Sequence, residues 1–189
     1  LSHNNTKRGV RLLCVALALT VVTAVIMPMM HFEGAEIYFG ILHLLSLSML
    51  IFSALPAGLD KINPIVGIII CIVIYIFTYG VSAGYVGIAG LKTFNLPAAL
   101  YRTNYFMPLG FFNSSFHSAD YFPLLPHLFM FLTGTFVGVY ATNGRFPAFT
   151  YRQRSKALCF LGRHALVIYI AHQPIIYGIL WVVEKIIAK

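Results

Sequence analysis

Charge is what this sequence has least of. Lys, Arg, Asp and Glu together supply 10% of its 189 residues, where an ordinary soluble domain carries about 25%. Hydrophobic residues supply 59%, so the polar surface is too small to coat a water-soluble fold of this length. Most of the apolar surface must face lipid or other apolar helices. Acids are scarcer than bases, five against thirteen, for a formal net charge of +8. In a soluble chain that excess would suggest nucleic acid. Here the bases flank apolar runs, where they act as topology signals, and nucleic acid is not an expected partner. The cysteines Cys14, Cys71 and Cys159 offer neither a disulfide framework nor a C-x-x-C site. No metal is expected. There is no internal repeat or low-complexity segment, and no short signal-like region with a small-residue cleavage site precedes the first apolar run. The start at Leu1 suggests residues upstream of those given.

Long apolar runs are what the sequence has in abundance. A membrane-crossing helix needs roughly 20 mostly apolar residues, and the runs predict spans over about 10–30, 37–55, 64–80, 122–141 and 162–183. The expected fold class is all-α: a polytopic membrane helix bundle of about five transmembrane helices. Residues 1–189 read as a single transmembrane domain, the C-terminal part of a larger bundle. Asn63 before Pro64 is a strong helix start, because Asn caps and Pro suits the first helical position. Residues 81–121 break the pattern with Gly80, Gly84, Gly87, Gly90, Pro97 and Pro108 among scattered aromatics. A connection this long is usually functional. It reads as a semi-buried cap, since irregular backbone at membrane depth survives only under a protein or water-filled cover.

The bases orient the bundle. A cytoplasmic N-terminus puts nine of them inside: Lys7, Arg8, Arg11, Lys61, Arg145, Arg152, Arg154, Lys156 and Arg163. Lys92, Arg102, Lys185 and Lys189 stay outside with Glu33, Glu36, Asp120 and Glu184, so the 81–121 loop is extracytoplasmic. Asn113-Ser114-Ser115 on that side has the form of a glycosylation sequon.

Ionisable groups inside a span are costly, and each is a functional candidate. His43 stands in a small, polar stripe with Gly40 and Ser46 on the second span. Its bland alternative is a neutral ring bonded to a neighbouring carbonyl. His172 and Gln173 stand beside Pro174, whose ring frees the Ile170 carbonyl and kinks the fifth span, and a packing kink is the alternative there. His43 and His172 are expected to face the bundle interior. Asp120 opens the fourth span, either as a cap favoured by the helix dipole or as a carboxylate that orients a histidine. His164 belongs to the basic interfacial end, and His31, His117 and His127 carry weaker signals.

Three segments in this order resemble a known family. They are Tyr38-Phe39-Gly40-Ile41-Leu42-His43 with Ser46 and Ser48, Ser118-Ala119-Asp120-Tyr121-Phe122-Pro123-Leu124-Leu125-Pro126, and Leu161-Gly162-Arg163-His164-Ala165-Leu166 running to Ile168-Tyr169-Ile170-Ala171-His172-Gln173-Pro174. Together they are similar to the heparan-alpha-glucosaminide N-acetyltransferase catalytic-domain family in its shorter bacterial form, a group of transmembrane acyltransferases. Members usually begin with two further helices carrying an Asp-x-x-Arg-Gly motif and the histidine assigned to acyl transfer, and this sequence includes neither. His127 also stands where many relatives have Trp.

The resemblance implies a membrane-embedded acyltransferase, or a large fragment of one. It would move an acetyl group from cytoplasmic acetyl-CoA, its co-substrate, to an extracytoplasmic sugar or glycan. His43, His172 and Asp120 are then the expected catalytic residues. Arg152, Arg154, Arg163 and His164 are expected to hold the donor, because Arg forks bind phosphate bidentately. The expected partners are the lipid bilayer, a glycan or amino-sugar acceptor, the N-terminal helices or another subunit, and a second copy in a homodimer. The expected location is the bacterial cytoplasmic membrane. Two other readings stay open: a proton-coupled transporter or permease using His43 and His172, and a non-catalytic membrane subunit. A third is a haem protein with the two histidines as axial ligands, which a Soret band would reveal.

Overall fold

The computed structural model describes residues 5–29, 34–55, 62–88, 91–152 and 155–187. The described chain is mostly helical and falls into two compact units, 1–144 and 145–189.

In the first unit, α1 (Thr6–Val21) passes through a π-helical turn (Val22–Ile26) into α2 (Met27–Met29), making one continuous apolar rod. α3 (Ile41–Ala54), α4 (Pro64–Thr78) and α5 (Leu124–Thr142) follow. As the Asn63-Pro64 pair predicts, the Asn63 side-chain oxygen accepts the Ile65 N–H at 3.0 Å and Pro64 opens α4. Among the described residues, Thr6–Met29, Pro64–Ala83 and Leu124–Thr142 are long and apolar enough to cross a membrane. The chain is therefore an all-α membrane bundle at the level of its architecture.

The second predicted span is shorter than expected. Its helix starts at Ile41 and has 14 residues, about 21 Å at 1.5 Å per residue, against a hydrocarbon core of roughly 30 Å. Residues 37–40 are extended instead, because they pair with the segment before α5. The Phe122 N–H donates to the Phe39 carbonyl at 3.1 Å, and the Ala119 N–H to the Glu36 carbonyl at 2.8 Å. Phe39 and Tyr121 form a parallel bridge.

α1 packs on α3, α4 on α5, and α3 also meets α5. Small residues set the approach. Gly9 is buried where a Cβ would lie 3.0 Å from Leu50, and a Cβ on Gly67 would lie 2.7 Å from the Phe136 ring. Phe39, Leu44 and Leu124 form a core that Leu47, Ile51 and Leu128 extend. Val21, Val25, Ile69, Ile70 and Val73 stay exposed, as a lipid-facing surface requires.

The loop after α4 is more regular than its glycines suggest. β1 (Tyr85–Ile88) and β2 (Leu91–Asn95) pair antiparallel, with an irregularity between Val86 and Gly87. Gly87 has φ 150°, a value that other residues rarely adopt. Short 3-10 turns follow at Ala98–Tyr101 and Met107–Leu109. The Tyr101 hydroxyl donates to the Val81 carbonyl, and the Tyr121 hydroxyl to the Met107 carbonyl at 2.6 Å, tying the loop back on itself. Phe112, Phe116 and Tyr121 pack mutually in tilted and edge-to-face contacts, with centroids 5.1–5.2 Å apart.

In the second unit, α6 (Lys156–Arg163) is capped by the Ser155 hydroxyl, which accepts the Leu158 N–H at 3.3 Å. At His164 the backbone leaves helical geometry (φ −105°, ψ 11°), and α7 (Ala165–Ile187) runs unbroken from there. The side chains of Gln173 and Pro174 lie outside the described residues, as do His31, Glu33, Lys61 and Arg154.

Candidate functional site

His43 stands at the third position of α3, and the local backbone explains its placement. Gly40 is extended (φ −94°, ψ −172°) and caps the helix, so its N–H turns back toward the ring and reaches Nδ1 at 3.4 Å. An N–H can only donate, so Nδ1 is the acceptor. The neutral ring then carries its proton on Nε2. That nitrogen lies 3.2 Å from the Thr20 hydroxyl on α1. The ring is 5% exposed and stacks on Phe39 at 5.5 Å. Ser46 is fully buried one turn on, its hydroxyl donating to the His43 carbonyl at 2.9 Å. Gly40, His43 and Ser46 thus lie buried together. Ser48 is also fully buried, and its hydroxyl meets no partner among the described residues.

Asp120 comes to the same place from 77 residues away in the sequence. One of its carboxylate oxygens accepts the Ile41 N–H at 3.1 Å, capping the positive end of α3. A Cβ on Gly40 would collide with this carboxylate, so the approach requires glycine. Asp120 therefore caps α3 rather than the start of α5. Ser118 fastens the crossing: its hydroxyl lies 2.8 Å from the Asp120 carbonyl and 3.3 Å from the Glu36 carbonyl, and it accepts the Tyr38 N–H at 3.3 Å. Two segments that are far apart in sequence, 36–43 and 118–122, are built here into one motif.

Two members of this cluster, Thr20 and Thr23, were not singled out from the sequence. The π-helical turn contains Thr23, which is 4% exposed; its hydroxyl donates to the Leu19 carbonyl at 2.9 Å and accepts the buried Ile37 N–H at 3.1 Å. Such turns recur at functional sites. The signal in the sequence was the pair itself, two hydroxyls three residues apart in an otherwise apolar run.

His172 is exposed on α7 in the second unit, its Nδ1 against the Tyr169 carbonyl. Arg152, Arg163 and His164 are exposed, and the His164 Nδ1 lies 2.9 Å from the Phe160 carbonyl. In the first unit, the His127 Nδ1 lies 2.9 Å from the Pro123 carbonyl. Among the described residues no three His, Cys, Asp or Glu cluster as a metal site would need.

Around His43 the arrangement offers a buried imidazole of set tautomer, a carboxylate at a helix N-terminus and three hydroxyls in a water-poor setting. Such a group can donate a hydrogen bond to a carbonyl oxygen, or exchange a proton once Thr20 gives way. The sequence model of one family, described as "Heparan-alpha-glucosaminide N-acetyltransferase, catalytic", matches residues 2–174. No curated protein and no solved structure matches the chain.

Proposed function

This chain belongs to the heparan-alpha-glucosaminide N-acetyltransferase catalytic family, and from that premise we propose that it carries acetyl groups from cytoplasmic acetyl-CoA to an extracytoplasmic sugar or glycan. The family is one of acetyltransferases and the chain is an integral membrane protein. The observation that carries the reading is the meeting of segments 36–43 and 118–122 around buried His43, inside the span that the family matches.

In this mechanism an acceptor nitrogen or oxygen attacks the thioester carbonyl. A bond to the acetyl carbon forms, the carbon–sulfur bond breaks, and the thiolate leaves with the electron pair and takes up the proton that the acceptor releases. Negative charge builds on the carbonyl oxygen in between. With Nδ1 occupied by the Gly40 N–H, His43 presents Nε2–H and can donate to that oxygen in place of Thr20. Asp120 positions the first turn of α3 and so the ring. By charge, Arg152, Arg154 and Arg163 are the groups suited to the donor's phosphates. The distribution of basic residues supports a cytoplasmic N-terminus.

The donor assignment is tested by acetyl-CoA binding to protein in which Arg152, Arg154 and Arg163 are all replaced by Gln. One charge-assisted hydrogen bond is worth about 1.5–3 kcal/mol, so the expected loss is well over about tenfold. Unchanged affinity in folded, inserted protein would remove these arginines from the mechanism.

A further inference from the structure

Two cavities meet in the first unit, at the end of the bundle where α1 begins and α5 stops. The inner one, of about 240 Å³, lies among α3, α4 and α5, and its lining includes Phe52, Leu55, Ile70, Cys71 and Phe136. Thr135 brings the one side-chain oxygen to this lining, and its hydroxyl donates to the Leu132 carbonyl of its own helix at 2.7 Å. The chamber therefore offers a guest apolar contact and almost no hydrogen bonding. Ile70 is 49% exposed, so the chamber opens sideways on the surface that faces lipid.

The outer cavity, of about 480 Å³, is different in kind. Phe52 and Thr135 line it too, but Asn5, Thr142 and Asn143 give it a polar rim. A Cβ on Gly138, also in its lining, would meet nothing within 4 Å, so the space there is open. Asn5 precedes the first turn of α1 and Asn143 follows the last turn of α5. The positive end of one helix thus meets the negative end of the other, and their partial charges offset. Side chains then set the sign. Lys7, Arg8 and Arg11 are exposed on the first two turns of α1, and no acid precedes Glu33 in the sequence. Asp60, between α3 and α4, has Lys61 as its sequence neighbour.

We propose that the joined cavities hold one anionic phospholipid, with an acyl chain in the chamber beside Cys71 and the phosphate at the rim near Asn5, Lys7 and Arg8. The inference does not depend on the acetyl-transfer reading. An apolar chamber continued by a polar, basic rim matches an amphiphile whose head is negative, and basic pockets between membrane helices are suited to such headgroups. Lys and Arg pair with phosphate, and the asparagine amides suit ester or phosphate oxygens. The chamber does not suit the donor's amide-bearing arm, because amides enclosed there would lose water and find no partner. Nor does it suit a further helix, which is about 10 Å across with its side chains. A hydrocarbon chain meets neither objection, and it can enter sideways past Ile70 from the bilayer.

The test exposes the purified chain to detergent micelles containing equal amounts of phosphatidylglycerol and phosphatidylcholine, then counts retained lipid by native mass spectrometry. Wild type should keep phosphatidylglycerol about tenfold over phosphatidylcholine, the scale expected when two bases meet an anionic head. Replacing Lys7 and Arg8 together by Gln should bring the two lipids close to parity. Gly138→Trp, which fills the open rim and improves helix propensity, should lower retention of both. Cys71 gives a second readout that needs no change at the rim. In a Cys14→Ser, Cys159→Ser background, phosphatidylglycerol should slow N-ethylmaleimide labelling of Cys71 about tenfold relative to phosphatidylcholine. Equal retention of the two lipids by wild type would mean an unselective lipid shell and would overturn the proposal. So would a preference that survives the Lys7 and Arg8 changes, or Cys71 labelling that is indifferent to lipid. Displacement of the bound lipid by acetyl-CoA would reassign the cavities to the donor.

Discussion

His43 stood out in the sequence because an imidazole in an apolar run is costly, and the structure gives it a specific chemical state. The Gly40 N–H on Nδ1 and Thr20 near Nε2 leave neither nitrogen idle. Asp120 was legible as a helix cap, but the helix it caps is α3, a pairing that only the tertiary crossing reveals. Asp120→Ala should cost about 0.5–2 kcal/mol, the usual value of a lost cap, read as a lower midpoint in denaturant-induced unfolding. Gly40→Ala should cost at least as much, because its Cβ would drive the carboxylate away. An Ala variant as stable as wild type would refute the close approach. Tyr121 offers a pH signature. Burial pushes its phenol well above the ordinary value, against the opposing hydrogen bond from Ser82. A pKa raised on folding stabilises fully below the unfolded value of about 10 and is lost as pH rises through the folded one. Wild type should therefore lose stability above about pH 10, and Tyr121→Phe should show a smaller loss. Identical alkaline profiles would contradict the buried phenol.

The helices were legible wherever an apolar run was long and its ends were marked. Asn63-Pro64 set the start of α4, and Pro123 stands where the chain turns into α5. What escaped were features set by contacts between distant segments. Residues 37–40 are apolar enough to continue a helix, yet they pair with 119–122 and leave α3 with 14 residues. The hairpin strands have four and five residues, too few for alternation to register among the glycines. The π-helical turn gives no sequence signal beyond its threonine, but it presents Thr23 to the Ile37 N–H. Thr23→Val would leave that buried N–H unpaired and should destabilise by about 1–3 kcal/mol, while Thr23→Ser should be nearly neutral. Thermal unfolding in detergent separates the two, and equal losses would point to packing rather than the hydrogen bond.

For the whole molecule, a tenth of the residues charged sufficed to place the chain in a membrane, and the ordered motifs sufficed to place it in its family. The motifs could not say which residues of 36–43 and 118–122 would touch, since that depends on a crossing between segments some 80 residues apart. The proposed orientation rests on the nine bases assigned to the inner side and four to the outer. In a cysteine-free background, a cysteine at Asn95 should react with an impermeant maleimide added outside, and one at Gln153 should not; the reverse pattern would invert the proposed topology. The central claim is acetyl transfer at His43, and reconstituted vesicles test it most directly. With labelled acetyl-CoA enclosed on the side of the Arg145–Arg163 segment and glucosamine on the other, wild type should form labelled N-acetylglucosamine. A folded His43→Gln variant should lose at least about a hundredfold in rate, the scale of a lost acid–base or oxyanion group. Product formed at the wild-type rate by that variant, or none formed by folded wild type, would contradict the account.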